Sequence, residues 1–334
     1  YSDPKRQKLC LAILKELVEL RPPVRWTSLE ILFKFCHAAD KTVRQSTITV
    51  VRKWYRESTL LTDGILTAAL QLFQSLAKLP APEAMWDQNL DPSQPDQPTH
   101  ASTIPENGIN VREEPRGTTS ATAPDVDTNG QGVSDLGTDE PDQRERALIN
   151  ARLYVEGQVI QRSEFFMALC SKHHSLIQHV FDQYPQWSPY AQQVFREHIA
   201  GLIRSIGMGS TDLLDSLDRF PPGAEGLVER IVELLTGKEI ASPGLSQIVR
   251  RLYEERQLSP RFLAFILPSL ESKADVVYVL TEILKLLDHT AGTREYVTNI
   301  LMQILGRKDT ESTTGGPPEP IRALLSPSDL MLTI

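Results

Sequence analysis

Apolar residues recur every three or four positions through most of this chain, in runs of 10 to 18 residues broken by Pro, Gly or short polar stretches. That period is the helical one, and no alternating apolar/polar stretch of useful length competes with it. The pattern therefore predicts an all-α protein. In residues 5–20, Leu9, Ile13, Leu17 and Leu20 mark an amphipathic helix stopped by Pro22-Pro23. Thr27 and Glu30 have the spacing of a capping box for the next helix, whose apolar face runs Leu29, Ile31, Leu32, Phe35. Asp40 is placed to cap a third helix over 41–57, with Val43, Ile48, Val51 and Trp54 or Tyr55 inward. Thr62 or Asp63 opens a fourth, ending at Leu79.

Residues 80–142 break the pattern. Rich in Pro, Asp, Ser, Thr and Gly, they hold 13 Asp/Glu against 2 Lys/Arg, whereas residues 1–57 hold 6 against 12. A stretch with so few periodic apolar residues cannot offset the entropy of ordering its backbone. It reads as a disordered acidic linker between a helical segment (1–79) and a second helical region (143–308). In the latter, helices are predicted near 143–155, 163–172, 174–184, 188–205, 210–219, 224–236, 244–256, 259–270, 273–287 and 292–306. Residues 309–325 read as a flexible loop and 326–334 as the start of a further helix. Short helices joined by short loops predict a HEAT-like α-solenoid of antiparallel helices, with a loose repeat.

Aromatics are only 7% of the chain, so Leu and Ile carry most of its apolar load. Cys10, Cys36 and Cys170 lie far apart with no CxxC, which fits a reducing compartment. No apolar run is read as reaching the roughly 18 residues of a membrane span, and no signal peptide is seen. The absence of an initiating Met, and a helix pattern beginning in "LSPSDLMLTI", lead us to expect a piece of a longer chain.

Three constellations invite chemistry. Cys170, His173, His174 and His179 include a Cys-x2-His spacing, but a structural zinc site needs four ligands. Cys170 shares an apolar face with Phe166 and Leu169 and reads as a small buried hydrophobe. "SIGMGSTDLLD" (205–215) places Gly-x-Gly before a helix without the strand, third Gly or Lys of a phosphate cradle. It reads as a C-cap at Gly207 followed by an N-cap at Ser210 or Thr211. The basic residues Lys5, Arg6, Lys8, Arg44, Arg52, Lys53 and Arg56, with thin aromatic interleaving, read as a solvated helix face ahead of a nucleic-acid surface. No nucleophile elbow, zinc-protease, Walker or kinase pattern occurs. No catalytic residue, metal or cofactor is assigned.

"YVEGQVIQRSEFFMALCSKH" (154–173) resembles the C-terminal region of the symplekin family, scaffolds of the pre-mRNA 3′-end cleavage and polyadenylation machinery. "IGMGSTDLLDSLDRFPPGAEGLVERIVELLT", "LSQIVRRLYEERQLSPRFLAFILPSLE" and "IRALLSPSDLMLTI" follow in the same order, so the resemblance covers about residues 150–334. "VRKWYRES", within residues 1–79, is similar to the preceding helical region of that family, less specifically. The resemblance implies a non-enzymatic nuclear scaffold. Its implied partners are other cleavage and polyadenylation subunits, especially the metallo-β-lactamase-type endonuclease and its inactive paralogue. RNA contact would be indirect, and no membrane is implied. The polar signature residues Glu156, Gln158, Gln161 and Arg162 become candidates for partner contact or for an internal role in satisfying loop carbonyls. Phe165, Phe166, Leu169, Cys170, Ile177 and Phe181 are the expected core stripe. The competing expectations are a generic α-solenoid adaptor of another nuclear or transport assembly, and an RNA-contacting helical module.

Overall fold

The structure, a computed structural model, describes residues 4–87, 140–237, 239–287, 294–295 and 297–300. Among them there is no strand, and the chain is all-α. The helices are α1 Pro4–Leu20, α2 Arg25–Phe35, α3 Lys41–Glu57, α4 Thr59–Gln74, α5 Pro82–Asp87, α6 Glu140–Cys170, α7 Gln178–Gln183, α8 Pro189–His198, α9 Ala200–Ile206, α10 Thr211–Asp218, α11 Glu225–Thr236, α12 Pro243–Arg256, α13 Arg261–Ala264 and α14 Lys273–Leu284. The chain divides into two compact units: residues 1–81 with 153–334, and residues 82–152.

Helix starts follow local chemistry. Asp40 Oδ1 accepts from the Thr42 and Val43 amides at 2.8 and 3.1 Å, which fixes the start of α3. Ser188, Ser210 and Ser242 cap α8, α10 and α12 in the same way, accepting from the amides of Ala191, Leu213 and Leu245. Gly207 ends α9 at φ 77°, a conformation that costs a side-chain-bearing residue but not Gly.

Several expected boundaries move. Thr27 does not cap α2, because a 3-10 turn at Pro22–Val24 runs directly into Arg25. The fixed φ of its prolines starts the helix three residues early. Thr62 lies inside α4, where its hydroxyl donates to the carbonyls of Ser58 (2.9 Å) and Tyr55 (3.2 Å). The two helices expected at 143–155 and 163–172 are one continuous α6. Val155, Val159, Phe166 and Leu169 keep the helical period through the polar Glu156-Gly157-Gln158, and all four are buried. The helix expected at 188–205 is interrupted at Ile199, and that at 259–270 shrinks to α13 and a 3-10 turn containing Pro268. Residues 82–87 and 140–142, expected to be disordered, are helical. The remainder of the expected linker, 88–139, and the expected loop 309–325 and helix 326–334 lie outside the described residues.

Two readings of polarity also change. The predicted apolar face of α1 is largely uncovered: Leu9, Ile13 and Leu20 are 61%, 48% and 70% exposed, while Val18 is buried. Thr59–Lys78, with mean hydropathy 1.2, is long and apolar enough by length and composition to cross a membrane, contrary to the expectation above. In the fold its Leu61, Ile65, Ala69 and Phe73 form a buried i, i+4 stripe, the signature of a helix packed on protein along one side.

Within the larger unit α1 packs on α2, α2 on α3, and α3 on α4. Farther along, α7 meets α10, α9 meets α11, and α10 meets α12, so each helix touches the next but one or two. The polar ties between these helices recur at similar separations. His174 Nδ1 and Ser210 Oγ lie 3.2 Å apart across 36 positions, and Arg230 Nε donates to the Arg196 carbonyl across 34. The Ser242 amide meets Met208 Sδ across 34 positions, Arg251 pairs with Asp218 across 33, and Arg256 Nη1 donates to the Phe220 carbonyl across 36. After Ser246 the offset shortens to 23, 25 and 29 in Ser246–Ser269, Arg250–Asp275 and Tyr253–Glu282.

Candidate functional site

The C-terminal half of α6, from Leu153 to Cys170, carries the four polar signature residues and four of the core-stripe residues singled out from the sequence; Ile177 and Phe181 follow, in a 3-10 turn and in α7. The two adjacent phenylalanines of α6 point apart, as neighbours on a helix must. Both are buried, at 1% and 0% exposure. Phe165 lies against Phe33 of α2, with ring centroids 6.2 Å apart. Phe166 stacks on Phe73 of α4 at 4.8 Å and meets the His179 ring edge-on at 6.3 Å. Leu169, Cys170, Ile177 and Phe181 are likewise fully buried. Phe73 is the centre of the aromatic cluster, with Trp187 edge-on at 5.0 Å and Phe195 at 5.9 Å.

The polar signature residues divide by role. Arg162 reaches Gln158 Oε1 through Nε (3.0 Å) and Nη2 (2.8 Å), a pair one helical turn apart. Its Nη1 donates to the Ser75 carbonyl and hydroxyl, both at 3.2 Å. Ser75 terminates α4, so the guanidinium sits at the carbonyl end of that helix, where a cation is favoured. Gln158 orients Arg162, and Arg162 ties α4 to α6. Glu156 is directed elsewhere: its Oε1 lies 3.9 Å from His198 Nε2, with both side chains partly exposed. Gln161 is half-buried beside Gly157 and is not brought into the Arg162 network.

Sequence reasoning missed a buried polar tie. Arg44, grouped above with the solvated basic face, has a side chain only 5% exposed. Its Nε donates to Glu164 Oε2 at 2.6 Å, and its Nη1 to the carbonyls of Ala38 (2.6 Å) and Ala39 (3.2 Å). A buried cation with a carboxylate and two carbonyls around it has its donors answered. The two partners are 120 positions apart, and no local pattern connects them. Of the other basic residues, Lys53 and Arg56 both face Glu57 on the surface.

The Cys/His group does not converge as ligands. Among the described residues no three His, Cys, Asp or Glu side chains gather around a point. His174 turns to Ser210, His179 lies against Phe166, and the His173 ring meets Tyr55 edge-on at 4.6 Å. Burial pushes the Cys170 thiol well above the usual range, so it is held as the unreactive thiol. A shallow groove along α12 is lined by Ser246, Gln247, Arg250, Arg251 and Glu254. Three of these are already engaged: Ser246 with Ser269, Arg250 with Asp275, and Arg251 with Asp218. The geometry of both regions is that of helix-to-helix fastening.

No protein-family model matches the chain, and no solved structure matches it.

Proposed function

We propose that this protein is a non-enzymatic, helical-repeat scaffold subunit of the nuclear pre-mRNA 3′-end cleavage and polyadenylation machinery, of the symplekin type. The observation that carries the reading is the collinear run of motifs from "YVEGQVIQRSEFFMALCSKH" to "IRALLSPSDLMLTI". Two structural features support it. The helix-to-helix ties recur at offsets of 33 to 36 residues between His174 and Arg256, which suits stacked helical pairs. The polar residues of the first motif that the fold engages serve its own helices: Arg162 with Gln158 fastens α4, so the motif has a reason to be polar without being catalytic.

On this reading the region from residue 143 onward holds the metallo-β-lactamase-type endonuclease and its inactive paralogue through protein contacts. This region holds 20 Lys/Arg against 23 Asp/Glu and so has little general attraction for phosphate. The test is co-expression with the endonuclease pair and pull-down with and without nuclease. Association should survive nuclease and weaken only modestly with salt. Loss on nuclease treatment would indicate bridging RNA, and a steep fall with salt direct phosphate binding. No association, with a longer natural form of the protein also negative, would overturn the reading in favour of a generic adaptor.

A further inference from the structure

The larger compact unit is discontinuous in sequence: it takes residues 1–81 and residues 153–334, and residues 82–152 intervene. The two pieces meet through core contacts. Phe73, from the first piece, is enclosed by Phe166, Trp187 and Phe195 from the second. Phe33 lies on Phe165, and Tyr55 meets His173 edge-on. The buried Arg44 is paired with Glu164, and Arg162 holds the end of α4. Phe73, Phe165, Phe166 and Phe195 are all 1% exposed or less, so separating the pieces would bare a continuous aromatic surface.

We infer that residues 82–152 are an insertion in one folded unit, and that its two pieces hold each other without the covalent connection. The surface of α2, α3 and α4 fits one partner, the α6–α8 region of the same chain. Every contact named above lies in 1–81 or 153–206. A cut in the acidic segment therefore leaves the N-terminal helices in place. A scaffold built this way keeps its assembly when that segment is cleaved or heavily modified.

The experiment uses the full chain with a specific protease site placed between Gly117 and Gly137. After complete cleavage the two pieces should elute together at the position of the uncut protein and keep its far-ultraviolet circular dichroism. Because the cut protein is a two-part complex, its melting midpoint should rise with concentration, while that of the uncut chain should not. Phe73→Ala, tested in the same cut chain, should weaken association by on the order of a hundredfold or more, since it empties the aromatic centre. Pieces that elute apart or precipitate on cleavage would overturn the inference. So would association that Phe73→Ala leaves unchanged.

Discussion

Arg44 on α3 and Glu164 on α6 form an ion pair at 2.6 Å across 120 positions of sequence, with the arginine side chain only 5% exposed. Removing Arg44 leaves Glu164, whose side chain is 22% exposed, without its cation. Arg44→Met also strips donors from the Ala38 and Ala39 carbonyls. We expect this change to destabilise the larger unit by about 3–5 kcal/mol, read as a lowered denaturant midpoint. Arg56→Met, at a cation 68% exposed, should change the stability by less than about 0.5 kcal/mol. Equal effects at the two sites would remove Arg44 from the core.

Phe165 and Phe166 point about 100° apart on α6, one to Phe33 and the other to Phe73. Each change to Ala should cost roughly 3–5 kcal/mol, because each ring is fully buried, against Phe33 or Phe73, and its loss opens a large cavity. Their ring partners differ, but the two residues are chain neighbours in one core, so the double variant should depart from additivity by about 0.5 kcal/mol or more. Urea titrations of the three variants check this. A loss well under 1 kcal/mol at both positions would mean that the stripe is a surface.

Two glycines should respond in opposite directions. Gly157 lies within α6, and a Cβ there would come no nearer than 3.6 Å, to Gln161 Nε2. Gly157→Ala should therefore stabilise by up to about 1 kcal/mol. Gly223 has φ +89°, and an added Cβ would lie 3.2 Å from the Pro185 Cβ. Gly223→Ala should destabilise by roughly 1–3 kcal/mol. Thermal melts of the two variants side by side give the signs.

The thiols provide a direct map of the packing. Cys36 and Cys170 are buried and their thiols are pushed up by desolvation, while Cys10 is exposed. A thiol reagent at neutral pH should label one site in the native protein and all three after denaturation. Rapid native labelling of Cys170 would contradict the enclosure of the α6 stripe.

What the sequence could reveal depended on range. The caps at Asp40 and Ser210 and the C-cap at Gly207 involve residues within four positions of one another, and they were legible. So was the apolar face of α6, since period marks it, and the fold then covers it. The continuity of α6 was not, because Glu156-Gly157-Gln158 resembles a loop in composition although Val155 and Val159 hold the helical register across it. Arg44 was misjudged for a different reason: its charge reads as solvated until Glu164 is brought beside it. The α1 face was misjudged for the reverse reason, as apolar spacing shows that a helix has a face and not that the face is covered.

On α14, Glu282 accepts from Lys285 Nζ at 2.6 Å and from the Tyr253 hydroxyl at 2.7 Å. These two hydrogen bonds hold its carboxyl below the usual glutamate range. A carboxyl whose pKa is lowered by folding contributes stability above its unfolded value, near 4.3, and loses it as pH falls through the folded one. Tyr253 moves the other way: burial, then the bond to Glu282, raises its hydroxyl. Its share is present below about pH 10 and is lost as pH rises through the raised value. Between those limits the tie from α12 to α14 should be insensitive to pH. Glu282→Gln should thus lower stability at pH 7, and the difference from the natural protein should shrink as pH is taken from 5 towards 3. Denaturant midpoints of both proteins across that range decide it. A difference that stays constant would mean that the ionised carboxylate contributes nothing beyond what the amide supplies.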